Sequence, residues 1–218
     1  LLAEYFRFQP GSRMRAPERG TGVVRVFGGG NGPRGLALAG ELMDGVLFGW
    51  TTMHSAALGQ LDGKVAIADT AAERAGKLAT FGRVTELKVS VAKSQEEARA
   101  FVREHPSCAR RTMGLRKRGY TDADFELLGI DPRDIDKLAE RVATAGPYAD
   151  FSDLVTDAMI DASYVAGDPY HCRERIAEHA AMMARRGFSQ IIFSELGPDQ
   201  IEAVRLLADN VLPALAAL

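Results

Sequence analysis

The chain has 218 residues, with 27 Lys plus Arg against 29 Asp plus Glu and a net charge of −2, so it lacks the basic excess that nucleic acid or an anionic membrane demands. Hydrophobic residues make up 46%, enough for one buried domain, yet no apolar run approaches the roughly 18 residues of a membrane span. The two cysteines, Cys108 and Cys172, are far apart and outside any metal-binding spacing, which argues against a disulfide or zinc framework and for a reducing, cytoplasmic setting.

The first residues, Leu1-Leu2-Ala3-Glu4, carry neither an initiating Met nor the charged and apolar regions of a signal peptide, so Leu1 reads as an internal position of a longer protein. Val23-Val24-Arg25-Val26-Phe27 is short, β-branched and bounded by glycine, the pattern of a buried strand. A glycine loop, Gly28-Gly29-Gly30-Asn31-Gly32, leads to Pro33, which suits the first turn of a helix, and Leu36, Leu38, Ala39 and Leu42 give that helix an apolar face. Val46-Leu47-Phe48 is a second strand, followed by the loop Gly49-Trp50-Thr51-Thr52 and a helix over about 69–79. A third strand covers about 85–91, with Leu87, Val89 and Val91 alternating with charged or small residues, and Ser94 then caps a helix with Glu96 and Glu97 in its first turn.

Residues 105–165 break this rhythm with short helical pieces punctuated by Gly and Pro, the pattern of an insertion packed outside the sheet. Regular order resumes with a helix over about 169–186 that presents Cys172, Ile176, Ala180 and Met183, then a strand Gln190–Phe193, then a helix opened by Gly197-Pro198 with Ile201, Val204, Leu207 and Val211 in register. This is parallel α/β architecture with four strand-to-helix units. Four such units leave a parallel sheet with bare edges, whereas a closed (β/α)8 barrel uses eight in roughly 250 residues. The chain therefore reads as the C-terminal half of a barrel protein.

Gly30-Asn31-Gly32-Pro33-Arg34-Gly35 matches G-x-G-x-x-G, but no carboxylate ends the next strand, so the dinucleotide reading is disfavoured. What survives is a small-residue loop at a helix start where backbone N–H groups can approach an anion, or else a plain tight turn. Trp50, the only tryptophan, follows a strand and is either a pocket wall or a core aromatic. His54 is a weak acid–base candidate, and His171 and His179 lack metal-pair spacing. Arg110-Arg111 and Arg116-Lys117-Arg118 form the one basic cluster, a solvated face or a site for a polyanionic ligand. No metal cluster and no catalytic triad stand out, so chemistry here belongs to a cofactor.

Two separated stretches carry a family resemblance. Val26-Phe27-Gly28-Gly29-Gly30-Asn31-Gly32-Pro33, continued by Leu38-Ala39-Gly40-Glu41-Leu42-Met43-Asp44-Gly45-Val46-Leu47, resembles the middle segment of the bacterial-luciferase-like oxidoreductases, nearest their deazaflavin-dependent, methylenetetrahydromethanopterin reductase-like branch. Ala158-Met159-Ile160-Asp161-Ala162, Val165-Ala166-Gly167-Asp168-Pro169, Gly187-Phe188 and Ser194-Glu195-Leu196-Gly197-Pro198-Asp199 are similar to the family's C-terminal signature, in the same order.

The resemblance implies that residues 1–218 are the C-terminal part of one TIM barrel, holding strands five to eight, with 105–165 as an insertion between strands seven and eight. Glu4-Tyr5-Phe6-Arg7-Phe8 resembles the segment before strand five. The implied cofactor is coenzyme F420, a deazaflavin, with FMN as the alternative. The residues set against it are Gly29, Gly30, Asn31, Gly32, Arg34 and Gly35, while Gly49 and Trp50 border a small-molecule substrate. The implied activity is hydride transfer to or from that substrate. The alternatives are an FMN-dependent monooxygenase and a non-catalytic barrel fragment or binding protein. Catalytic residues are expected in the first half of the barrel, and the full-length protein is expected to be a homo-oligomer.

Overall fold

A computed structural model describes residues 24–215. The segments Leu1–Glu4 and Glu4–Phe8 lie outside the described residues. Five parallel strands, β1 (Phe27–Gly29), β2 (Gly45–Phe48), β3 (Gly82–Val91), β4 (Val165–Gly167) and β5 (Gln190–Ser194), form one sheet, parallel as the alternating pattern predicts but with one strand more than the four expected. β1 pairs with β2 and β2 with the start of β3. β3, at ten residues, holds the sheet together, because its two edges take different partners. Gly82 N–H donates to Asp44 O on the β2 edge and Ala92 N–H to Gly167 O, whereas Val91 N–H donates to Leu196 O beside β5. Successive amides of a strand point to opposite edges, so β2 and then β4 share one edge of β3 while β5 occupies the other.

Helices α1 (Pro33–Leu42), α2 (Thr52–Ala57) and α3 (Leu61–Arg74) connect β1 to β3, α9 (Pro169–Ala184) connects β4 to β5, and α10 (Gln200–Asn210) with α11 (Leu212–Leu215) follows. Between β3 and β4 stand α4 (Gln95–Glu104), α5 (Pro106–Arg116), α6 (Asp122–Leu127), α7 (Pro132–Ala145) and α8 (Asp157–Ser163). Their starts are written locally: Ser94, Thr121, Asp131 and Thr156 each accept a hydrogen bond from a first-turn amide, and Pro106 and Pro132 open α5 and α7. α5 to α8 enclose a core of their own, with Leu115, Phe125, Ile135, Leu138, Phe151 and Ile160 buried. A second core joins α1, β2, α3 and α9 through Leu36, Phe48, Leu61 and Met183, and a third joins β3, α9 and α10 through Leu87, Val89, Ile176 and Leu207. Among the described residues no helix is long and apolar enough to cross a membrane.

Several elements differ from the sequence reading. Of the strand expected over Val23–Phe27, Val23 lies outside the described residues, and β1 starts only at Phe27, because the Val26 amide donates to the Asp44 carboxylate and the Asp44 amide donates to the Val26 carbonyl, ending the ladder there. Val24 and Val26 are exposed, and Gly28 and Gly29, expected in the loop, pair with Val46 and Leu47. The helix expected over 69–79 begins at Leu61, preceded by a short helix that starts at Thr52. Leu207 of α10 and Val211 just past it are buried, while Ile201 and Val204 of α10 are exposed. β4 has no counterpart in the sequence pattern: it begins at Val165, the last residue of the expected insertion, and its three residues are too few to show a period.

α1 and α3 approach closely at Gly40, where a Cβ would stand 2.2 Å from Ala68 O and 2.7 Å from Ala71 Cβ. Gly40→Ala is expected to destabilise by about 1–3 kcal/mol through overpacking, whereas Gly63→Ala, with open space at its Cβ, should be neutral or stabilise by up to about 1 kcal/mol. Urea unfolding of the two variants measures the difference.

Candidate functional site

Parallel strands send their C-terminal ends to the same end of the sheet, so the residues just past β1, β2, β3 and β5 gather there. Past β1, Gly32 starts α1 with no side-chain cap, and a Cβ at Gly29 or Gly32 would meet nothing within 4 Å. A Cβ at Gly49, past β2, would stand 3.4 Å from Asn31 Nδ2 and 3.7 Å from Glu86 Oε2, so the ends of β1, β2 and β3 converge over this glycine.

Asn31, Gly32 and Pro33 form one side of a pocket of about 500 Å³, with Thr51, Lys64, Arg118 and Tyr120 opposite. Thr51 Oγ1 and Tyr120 Oη are buried without a hydrogen-bond partner, a state that protein interiors normally avoid. Burial lowers the Lys64 pKa and the nearby Arg118 charge lowers it further, so positive charge is concentrated here without a matching carboxylate. Gly29, Gly30, Arg34 and Gly35 do not line this pocket; Arg34 and Gly35 lie exposed on the first turn of α1.

A second pocket, of about 360 Å³, is lined by Trp50, Ser107, Arg110, Arg111 and Arg118. The guanidinium groups of Arg111 and Arg118 lie 5.4 and 4.8 Å from the Trp50 ring centre, favourable geometry for a cation over an aromatic face. The basic cluster is thereby divided. Arg116 turns away to Asp122 and Asp136 and lies over Phe125, since five residues along a helix from Arg111 is the far side, whereas Arg118 is seven along.

Beneath Trp50 lies a polar cluster that sequence reasoning missed. Lys88, only 4% exposed, sits with its ammonium 2.8 Å from Glu86 Oε1 and 3.0 Å from Glu195 Oε1. Ser194 Oγ donates to Glu86 at 2.9 Å, and Glu195 also accepts from Ser107 Oγ, from Arg111 Nη2 and from Tyr164 Oη. Burial raises both carboxyl pKa values, but hydrogen bonds outweigh it, chiefly from Lys88 to Glu86 and from Tyr164 and Lys88 to Glu195, and hold both carboxyls below their ordinary range. Burial and the Glu195 carboxylate raise the Tyr164 phenol, so it stays a donor. Glu195 has φ 66°, a left-handed conformation that costs a residue with a side chain about 1–2 kcal/mol. The readable signal was charge at Glu86 and Lys88, two apart in a strand whose other face carries Leu87, Val89 and Val91, since parallel strands are usually apolar on both faces.

His54 is fully buried, its Nε2 lies 3.2 Å from Ser163 Oγ, and its ring meets those of Trp50 and Tyr120 edge-on. Burial and the Lys64 charge lower its pKa to about 4, so it is neutral at pH 7 and packs as a buried side chain behind Trp50. Among the described residues no three His, Cys, Asp or Glu side chains gather as a metal centre requires.

Comparison with known proteins agrees with this architecture. The chain is 28% identical to a 5,10-methylenetetrahydromethanopterin reductase of Archaeoglobus fulgidus over 199 residues, 89% of this chain and 55% of that protein. It is 29% identical to a 5,10-methylenetetrahydromethanopterin reductase of Methanolobus tindarius over 192 residues, 88% of this chain and 54% of that protein. The solved structure of a coenzyme F420 dependent tetrahydromethanopterin reductase from Methanopyrus kandleri superposes with a TM-score of 0.69 at 25% identity, covering 88% of this chain and 51% of that one. The chain thus spans about half the length of the relatives it matches. The model of the luciferase-like monooxygenase family matches residues 3–186, and the chain belongs to that family.

Proposed function

We propose that this chain is the C-terminal part of a luciferase-like barrel that binds coenzyme F420 and transfers hydride to or from a small organic substrate. The observation that carries the reading is the joining, in one chain, of a match to F420-dependent reductases across nearly nine-tenths of its length with a cationic pocket at the glycine loop. The pocket fits the group: it opens at an uncapped helix start, it holds Lys64 and Arg118, and Thr51 Oγ1 and Tyr120 Oη are buried donors and acceptors still lacking partners. When bound, the deazaflavin supplies the hydride-carrying ring. The protein residues bind and orient it: the Gly29, Gly30, Asn31, Gly32, Arg34 and Gly35 segment at the anionic end, with Gly49 and Trp50 bordering the substrate. On the Trp50 side the wall is cationic, with Arg110, Arg111 and Arg118 beside the ring and neutral His54 buried behind it.

The two outer strands support the assignment of this chain to strands five to eight. Among the described residues β1 and β5 each pair on one edge alone, and Leu38 and Leu42 of α1, Ile192 of β5 and Ile201 of α10 are exposed, as in strands and helices awaiting the rest of a barrel. The separate core of α5 to α8 supports reading residues 105–165 as an insertion between the last two barrel strands.

Fluorescence titration of the full-length protein is expected to give saturable binding of F420 and none of FMN. Binding of FMN alone overturns the reading in favour of a monooxygenase, and binding of neither favours a non-catalytic role. Lys64→Ala and Arg118→Ala are each expected to weaken F420 binding by about tenfold, the loss typical of one charge-assisted hydrogen bond, with Arg116→Ala near wild type. Equal losses at all three positions in the same titration overturn the assignment of Lys64 and Arg118.

A further inference from the structure

We propose that Glu195 is a positioning residue that sets the plane of Trp50 through Arg111. The connection is short and continuous. Arg111 Nη2 meets Glu195 Oε1 at 3.1 Å, its Nε donates to Ser107 Oγ at 2.7 Å, and its guanidinium lies over the Trp50 ring. Arg111 is therefore held at both ends of its fork, and it is the Glu195 end that is charged. Trp50 packs against the core of α5 to α8 and lines the pocket; Arg118 also lies over its ring, at 4.8 Å, but of the two guanidiniums it is Arg111 that Glu195 holds, so fixing Arg111 biases which way that wall faces.

The backbone supports the same assignment. Glu195 adopts φ 66°, the only described residue other than glycine with positive φ, and two residues on Gly197 packs against Val91 at the end of β3. This turn is what brings the carboxylate in from the end of β5 to meet groups from three other elements. From β3 come Lys88 and, through it, Glu86; from α5 come Ser107 and Arg111, with the buried Cys108 thiol near enough to feel the carboxylate's charge; from the residue before β4 comes Tyr164. A strained residue persists where its surroundings over-determine it, and such strain concentrates at functional positions. Were Glu195 needed to neutralise Lys88 alone, Glu86 would already supply a carboxylate at 2.8 Å; what Glu86 does not do is reach Arg111.

The geometry of Trp50 is read without any ligand, so this positioning is testable apart from its meaning for catalysis, which rests on Trp50 bordering the substrate. Because Trp50 is the sole tryptophan, its emission reports on this ring alone. In Glu195→Gln the acrylamide quenching constant of Trp50 is expected to rise about twofold or more, the order by which one guanidinium–ring contact biases a side chain, while Glu86→Gln leaves it unchanged. Over the acid range in which far-UV circular dichroism stays native, the wild-type signal should move toward that of Glu195→Gln as the carboxylate is protonated, below the ordinary Glu value of about 4.3, and Glu195→Gln should show no such transition. Arg111→Lys, which keeps the charge but removes the planar fork, should reproduce the quenching change and gives the answer if Glu195→Gln does not fold. Unchanged quenching in a folded Glu195→Gln or in Arg111→Lys, or an equal change in Glu86→Gln, overturns the proposal. Failure of F420 binding with these signals intact overturns the functional reading instead.

Discussion

A lysine ammonium buried within a sheet has to be neutralised, and around Lys88 that requirement organises the functional end of the molecule. An isolated buried charge is far too costly to keep, and Glu86 of its own strand answers it, while Glu195 from the end of β5 shares the ammonium and carries the contact onward to Arg111. The second carboxylate reaches it only by a left-handed turn, and once there it engages α5 and Tyr164 as well. A single desolvated cation thus ties together the sheet, the helical segment and the strand that follows it.

That segment is otherwise close to independent. Its apolar side chains pack chiefly on one another, and apart from Trp50 and Ala166 few of the residues in its core come from the sheet side. Its coupling to the rest of the protein is therefore polar where it matters: Ser107 and Arg111 of α5 on Glu195, and Arg99 and Arg103 of α4 on Asp157 and Asp161 of α8. Polar contacts are directional in a way that apolar packing is not, so this arrangement sets the angle at which the segment meets the ends of the strands.

Much of the architecture was legible in the sequence, because Val46-Leu47-Phe48 and Gln190–Phe193 are apolar runs between glycine or polar boundaries, and Pro33, Ser94 and Pro169 announce helix starts by their chemistry. β4 was not legible, since it is a strand only by virtue of the β3 edge beside it. At the candidate site, Asn31, Gly32 and Trp50 were readable as residues just past strands, and they do line the pockets. Glu195, Ser107 and Tyr164 were not, because their partners are 31 to 107 positions away and no local pattern reports such a meeting. His54 was misleading for the opposite reason: the residue type suggests acid–base chemistry, but burial keeps it uncharged.

The two-edged pairing of β3 has a consequence for how the chain acquires its structure. β3 cannot complete its ladders until residues 92–164 have been looped out for β4 and the chain as far as Gln190 has returned for β5. Closing such loops costs entropy before any long-range pairing repays it, whereas α5 to α8 gain most of their contacts from near neighbours in sequence. By topology the contacts of the helical segment are available to a shorter stretch of chain, whereas the central strand has all its amides satisfied only once the chain as far as β5 has returned.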